Sequence, residues 1–149
     1  MKKTLVVLLT VFLVFSLVGC NNTKLYDLEE EYVTADTRGL SFKAEKEKYT
    51  AEDTVINYTI QNNTEEIQQI GNNDHSLHYK TDDGWKEVGR KTKKLKKNVK
   101  YKKTLNNVVI LPQESGTFTF NLGGYELPLE KGEYRIERYG MVSESFIVE

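Results

Sequence analysis

Residues 54–61 read Thr-Val-Ile-Asn-Tyr-Thr-Ile-Gln, so that Ile56, Tyr58 and Ile60 alternate with Asn57, Thr59 and Gln61. Period-2 alternation puts three apolar side chains on one face of an extended chain and three polar ones on the other, which a helix cannot do. The pattern recurs. Leu40 and Phe42 mark a strand before it, residues 66–70 one after it, and Leu77 with Tyr79 a fourth. Trp85 to Val88 follows the Asp82-Asp83-Gly84 turn, and residues 105–111 place Val108 and Ile110 on one face. Phe118, Phe120 and Leu122 alternate, as do Tyr134 with Ile136 and Phe146 with Val148. Glycine and asparagine turns punctuate the series, and no helical pattern separates its members. Short strands at such spacing predict an all-β fold, an antiparallel sandwich or barrel. Nine tyrosines, six phenylalanines and only two prolines suit it.

Ahead of the strands lies a segment of another kind. Met1-Lys2-Lys3 is basic, and residues 5–18 are apolar except for Thr10 and Ser16. The run is shorter than the about 20 residues a spanning helix needs. A basic start and a short apolar run ending in small residues read as an export signal. The run closes on Leu17-Val18-Gly19-Cys20. That sequence resembles the lipobox of bacterial lipoproteins. The resemblance implies that the Cys20 thiol receives a diacylglyceryl group and that cleavage falls after Gly19. The alternative is a buried structural cysteine in an uncleaved anchor.

Cleavage there leaves 130 of the 149 residues, enough for one core. Losing Lys2 and Lys3 takes the formal charge from -1 to -3, a balance that selects no partner. Cys20 is the only cysteine, so its lipidation leaves none for a disulfide or a catalytic thiol. Residues 21–38 are polar and acidic, with Asp27, Glu29, Glu30 and Glu31, and read as a tether. Their alternative is a short helix, since Leu25, Leu28 and Tyr32 fall at helical spacing. The expected organisation is a removed signal over 1–19, a lipidated tether over 20–38 and one β domain over 39–149. It places the chain at the extracytoplasmic face of the cell membrane.

The order of several pieces carries a second resemblance. A strand ending at Asn62, then Asp83-Gly84-Trp85, Pro112 to Gly116 before an alternating strand, and Gly132-Glu133-Tyr134-Arg135-Ile136 resemble bacterial immunoglobulin-like domains. The likeness covers residues 39–149 and implies an Ig-like sandwich and an envelope placement rather than a mechanism. Tyr134 fits the tyrosine corner of such sandwiches, where a buried ring sends its hydroxyl back to the chain. Trp85 is expected to anchor the core. A looser likeness, through Asn62-Asn63-Thr64 and the tryptophan hairpin, is to small β-sandwich proteinase inhibitors. It makes an inhibitor presenting residues 71–76 or 90–97 the alternative function.

Catalytic constellations are missing from the sequence. No G-x-S-x-G, S-x-x-K, H-E-x-x-H or glycine-rich phosphate loop is present. His75 and His78 are the only histidines, and on a strand their odd spacing sets them on opposite faces without a third ligand. The expectation is a binding module with no enzymatic activity, no cofactor and no metal. One stretch departs from the family pattern. Residues 86–103 hold ten basic residues against Glu87 alone, a net +9 that leaves about -12 elsewhere in the cleaved chain. Lysine runs commonly keep sheet edges solvated. The functional reading is a polyanion-binding face of Lys93, Lys94, Lys96, Lys97 and Lys100, directed at anionic wall polymer, lipid head groups or an envelope protein. Nucleic acid is not expected, because Tyr101 alone interleaves the charge.

Overall fold

The computed structural model describes residues 23–28, 31–71, 75–91 and 107–149, nearly all of them strand or turn. Thirteen short strands follow in order: β1 (Leu25–Tyr26), β2 (Val33–Thr34), β3 (Leu40–Ala44), β4 (Lys48–Tyr49), β5 (Val55–Asn62), β6 (Gln68–Gly71) and β7 (His75–Thr81). They continue with β8 (Gly84–Val88), β9 (Asn107–Ile110), β10 (Ser115–Asn121), β11 (Gly132–Arg138), β12 (Met141–Val142) and β13 (Phe146–Val148). Single 3-10 turns occupy Ala35–Arg38 and Leu122–Gly124.

The alternation of β5 works as read. Ile56, Tyr58 and Ile60 are fully buried while Asn57 and Gln61 are exposed. β5 is the middle of a three-stranded antiparallel sheet, flanked by β10 and β3. Facing it is an eight-stranded sheet whose main path runs β1-β8-β7-β11-β12-β2. Its inward residues, Leu77, Tyr134, Ile136 and Phe146, join Phe42, Ile56, Tyr58 and Phe120 in one core. Each large apolar side chain buried there contributes about 1.5–3 kcal/mol. This is an antiparallel Ig-like β-sandwich, held by its apolar core.

Three features depart from the sequence reading. The segment over 21–38, expected as a tether or helix, is laid along the sheet from Thr23 on. Leu25 and Tyr26 pair with Val88 and Glu87 at one edge, and Val33 and Thr34 pair with Met141 and Val142 at the other. Five strand spacings separate these edges, about 24 Å. The described residues on either side of 29–30 thus reach both edges of the sheet. Tyr49, which falls outside the alternating series, is a buried strand residue whose hydroxyl donates to the Asn57 carbonyl, at 3.3 Å. The closing strand is split. β12 and β13 both pair with β11, and between them Ser143 takes over the ladder. Its N–H donates to Ile136 O at 2.9 Å and its Oγ accepts from Ile136 N–H at 2.9 Å.

β6 and β9 belong to neither sheet but form a two-stranded ribbon of their own. The ribbon caps the end of the sandwich where β5 and β11 finish and β7 begins. A two-residue turn, Tyr139-Gly140, joins β11 to β12 at that end with φ of 54° and 75°. Positive φ at both central positions is the hairpin geometry that glycine tolerates best.

Candidate functional site

The N-terminal segment covers part of the outer face of the eight-stranded sheet. On that face β7 and β11 pair His78 with Arg135 and Ser76 with Glu137. His78 has no exposed surface, and Ser76 and Glu137 are buried. The Tyr32 ring lies over the imidazole with centroids 5.1 Å apart. Sequence reasoning missed this layer, since Ser, His and Glu at alternate strand positions read as a solvated face. The one available signal was Tyr32, an aromatic in an otherwise polar segment.

Its hydrogen bonds run in one direction. Arg135 Nε donates to His78 Nδ1 at 3.3 Å, which leaves the imidazole proton on Nε2. That proton goes to Ser76 Oγ at 2.9 Å, and Ser76 in turn donates to Glu137 Oε2 at 3.2 Å. The other Glu137 oxygen accepts from the Gly140 N–H at 2.8 Å. Burial, with the Arg135 guanidinium adding to it, pushes the His78 pKa down to about 4. A nucleophilic serine needs its proton taken by an imidazole that a carboxylate supports. Here the serine gives its proton to the carboxylate, and a cation faces the imidazole. The layer is arranged as a polar clamp joining β7, β11 and the β11–β12 turn.

A second polar cluster lies between the sheets. Arg138 is fully buried, and its Nη1 donates to the Tyr58 hydroxyl at 2.7 Å and its Nε to Gly71 O at 3.0 Å. Its guanidinium also stacks 4.0 Å from the Phe118 centroid. Burial, opposed by Arg138, raises the Tyr58 pKa to about 12. Tyr58 is hydrogen-bonded to His75 Nε2 as well. His75 then lines a cleft of about 280 Å³ with Arg90, Thr119, Phe120, Asn121 and Tyr125. Arg90 Nε donates to the Tyr125 hydroxyl there, at 3.1 Å. The two histidines thus point to opposite faces of β7. Among the described residues no group of three or more His, Cys, Asp or Glu could hold a metal ion, and no helix is long and apolar enough to cross a membrane.

Tyr134 is fully buried, and its hydroxyl donates to the Glu130 carbonyl four residues upstream at 2.8 Å. Burial raises its pKa. Trp85 is not the core anchor expected. Its register partner is Lys80, which puts it on the polar face of the sheet, half-buried. There the Arg135 guanidinium covers its ring at 4.4 Å and Lys80 approaches at 5.7 Å. A cation shields the indole in place of core packing. Leu17, Val18, Gly19 and Cys20 lie outside the described residues, as do Lys93, Lys94, Lys96, Lys97 and Lys100. Of the loops considered for an inhibitor, Gly71, His75 and Ser76 are strand residues, and 72–74 and 92–97 lie outside the description.

Two packed sheets, antiparallel except where β2 and β4 join the larger one in parallel, a corner tyrosine and connections gathered at the ends define an immunoglobulin-like domain. Residues 36–144 match the bacterial Ig-like domain family, and the chain belongs to it. No curated protein sequence matches the chain. Solved structures share only a loose likeness. A β-glucosidase from Erythrobacter marinus is 14% identical over 74% of this chain and 15% of its own, with a TM-score of 0.39. A β-glucosidase mutant from Listeria innocua in complex with laminaribiose is 14% identical over 74% and 16%, at 0.37. An alkylpurine DNA glycosylase from Pseudomonas fluorescens is 8% identical over 74% and 30%, at 0.36. The chain spans less than a third of the length of each.

Proposed function

We propose that this chain is an envelope lipoprotein, lipidated on Cys20 and held at the extracytoplasmic face of the cell membrane, where its Ig-like domain serves as a non-catalytic binding module. One observation carries the reading: a basic start, a short apolar run and Leu17-Val18-Gly19-Cys20 follow one another in order. Two or more acyl chains on such a cysteine give stable anchoring where one gives marginal binding. The binding-module reading is supported by family membership and by the direction of the bonds around Ser76, which do not activate it. The lysines at 93, 94, 96, 97 and 100 supply a polyanion-binding stretch between Lys91 and Asn107.

Folded structure begins close to the proposed anchor. Thr23 N–H donates to Glu130 Oε1 at 3.4 Å, and β1 starts at Leu25. Five residues from Cys20 to Leu25 reach at most about 17 Å, so the domain stands against the bilayer rather than at the end of a long tether. The test is fractionation of cells expressing the chain and its Cys20→Ser variant. The unaltered chain is expected with the membranes and the variant in the soluble fraction with its domain still folded. A variant that stays with the membranes overturns the anchor.

A further inference from the structure

We infer that two copies of this chain join edge to edge through β10, antiparallel and in one register, so that their three-stranded sheets become one continuous sheet. β10 is the end strand of its sheet, in the order β10-β5-β3. Asn62 N–H donates to Glu114 O at 2.9 Å and Leu122 N–H to Thr54 O at 2.8 Å, one at each end of the β10–β5 ladder. In an antiparallel ladder, residues bonded to the neighbour alternate with residues whose N–H and C=O point away from it. With 114 and 122 bonded to β5, residues 116, 118 and 120 are bonded to it as well. Ser115, Thr117, Thr119 and Asn121 then aim their N–H and C=O out of the sheet, and no other described strand pairs with them. Such a row is a template for a further strand, and folded chains blunt it with short edges, lysine, proline or bulges. The edge strands of the larger sheet, β1 and β2, are two residues long. At the other edge of the smaller sheet, Phe42 O accepts from Glu144 N–H at 2.8 Å. β10 runs for seven residues in unbroken register, with no charged side chain and no proline.

Side chains and charge point to a second copy as the occupant. The middle of the strand, Thr117-Phe118-Thr119, reads the same in both directions. A second copy laid antiparallel about Phe118 sets Phe118 against Phe118, Thr117 against Thr119 and Ser115 against Asn121. Outward residues then meet only outward residues, so every N–H and C=O in the row finds a partner. Thr117 and Thr119 are exposed and form cross-strand threonine pairs, a favoured combination. The inner side of the strand leaves room for the approach, since Gly116 has no side chain and Phe120 is turned into the core. Phe118, only partly buried, gains the ring of its counterpart. The same register brings the exposed Glu114 of each copy opposite Leu122 of the other, at the end where Arg90 and Asn121 line the cleft. Arg90 Nε is held by the Tyr125 hydroxyl, and its two terminal nitrogens have no partner among the described residues. A two-fold contact of this kind uses the same patch on both copies and closes as a dimer.

Introduced cysteines read the register directly. Thr117→Cys and Thr119→Cys are made separately in the full-length chain carrying Cys20→Ser, which removes the only native thiol. Facing Cα atoms of a bonded antiparallel pair lie about 5.5 Å apart, within disulfide reach. Diagonal neighbours lie about 7–8 Å apart, beyond it. Under mild oxidation in detergent, the mixture of the two variants is expected to form disulfide-linked dimers, while either variant alone stays unlinked. Thr117→Pro removes an outward N–H and spares the β5 ladder, and Thr117→Val keeps that N–H. The first is expected to raise the dimer dissociation constant by about tenfold or more, because each dimer loses two hydrogen bonds, and the second to leave it within about twofold.

Linked dimers formed as readily by either cysteine variant alone overturn the register. A dimer that survives Thr117→Pro unchanged overturns the β10 pairing and assigns the contact to another surface. A chain that stays monomeric at every concentration, with the Trp85 emission of the folded protein, overturns the dimer altogether. The cysteine mixture decides the case even where Thr117→Pro fails to fold.

Discussion

His78 gives the sharpest quantitative test of the fold. Its ring is sealed between β7, β11 and the crossing N-terminal segment, and its pKa is lowered from 6.5 to about 4, first by burial and then by Arg135. The unfolded chain therefore binds a proton at a pH where the folded one does not. A histidine lowered in this way leaves stability intact above its unfolded pKa, and loses it as pH falls from there toward the folded value. The window is pH 6.5 to about 4. Linkage makes the loss about 2 kcal/mol at pH 5 and about 3 kcal/mol at pH 4. Carboxylates held low by lysines, such as Glu133 beside Lys80, also lose stability in acid, so a control is needed. His78→Gln keeps a donor for Ser76 and cannot titrate. Urea unfolding of both proteins at pH 7 and pH 5, followed by the fluorescence of Trp85, separates the two sources. The unaltered chain is expected to lose about 2 kcal/mol more than the variant over that interval. Parallel pH profiles would refute the reasoning, because they would mean that His78 charges freely in the fold and the face above it is open to water.

Two further perturbations probe single contacts. Tyr134→Phe keeps the buried ring and removes the hydroxyl bond to Glu130 O, and is expected to lower stability by about 1 kcal/mol in urea titration; a loss above about 3 kcal/mol would mean the ring itself is displaced. Asn62→Ala removes a fully buried amide that donates to Glu66 O and Ile110 O and accepts from the N–H and hydroxyl of Thr64. It is expected to cost about 2–4 kcal/mol by thermal melting, since it strands a buried carbonyl, and a change under about 0.5 kcal/mol would show that the turn is held elsewhere.

Side-chain alternation was enough to define the strands that carry the core. Residues 54–61 could bury one face only as a strand, and their burial follows the pattern residue by residue. The corner geometry of Tyr134 was legible too, because a tyrosine after a glycine turn on a penultimate strand has few other ways to satisfy a buried hydroxyl. The candidate surfaces were not. Periodicity tells which residues of a strand share a face, but not whether a distant segment covers that face. The local pattern around His78, Ser76 and Glu137 therefore gave no sign that these residues are buried. Trp85 read as core for the converse reason. Its face was fixed by pairing with Lys80, a register that the turn alone did not specify.

The sequence by itself determined the strand class, the single core without disulfides and the lipobox-like stretch ending at Cys20, because each depends on residue type and local spacing. Tertiary structure decided the rest. It paired residues 25–26 and 33–34 with opposite edges of a sheet, buried Arg138 between the sheets, and set Tyr139 against the apolar ribbon. Those outcomes depend on contacts between segments tens of residues apart, where the free energy of covering one face with another chain segment overrides what either segment prefers alone.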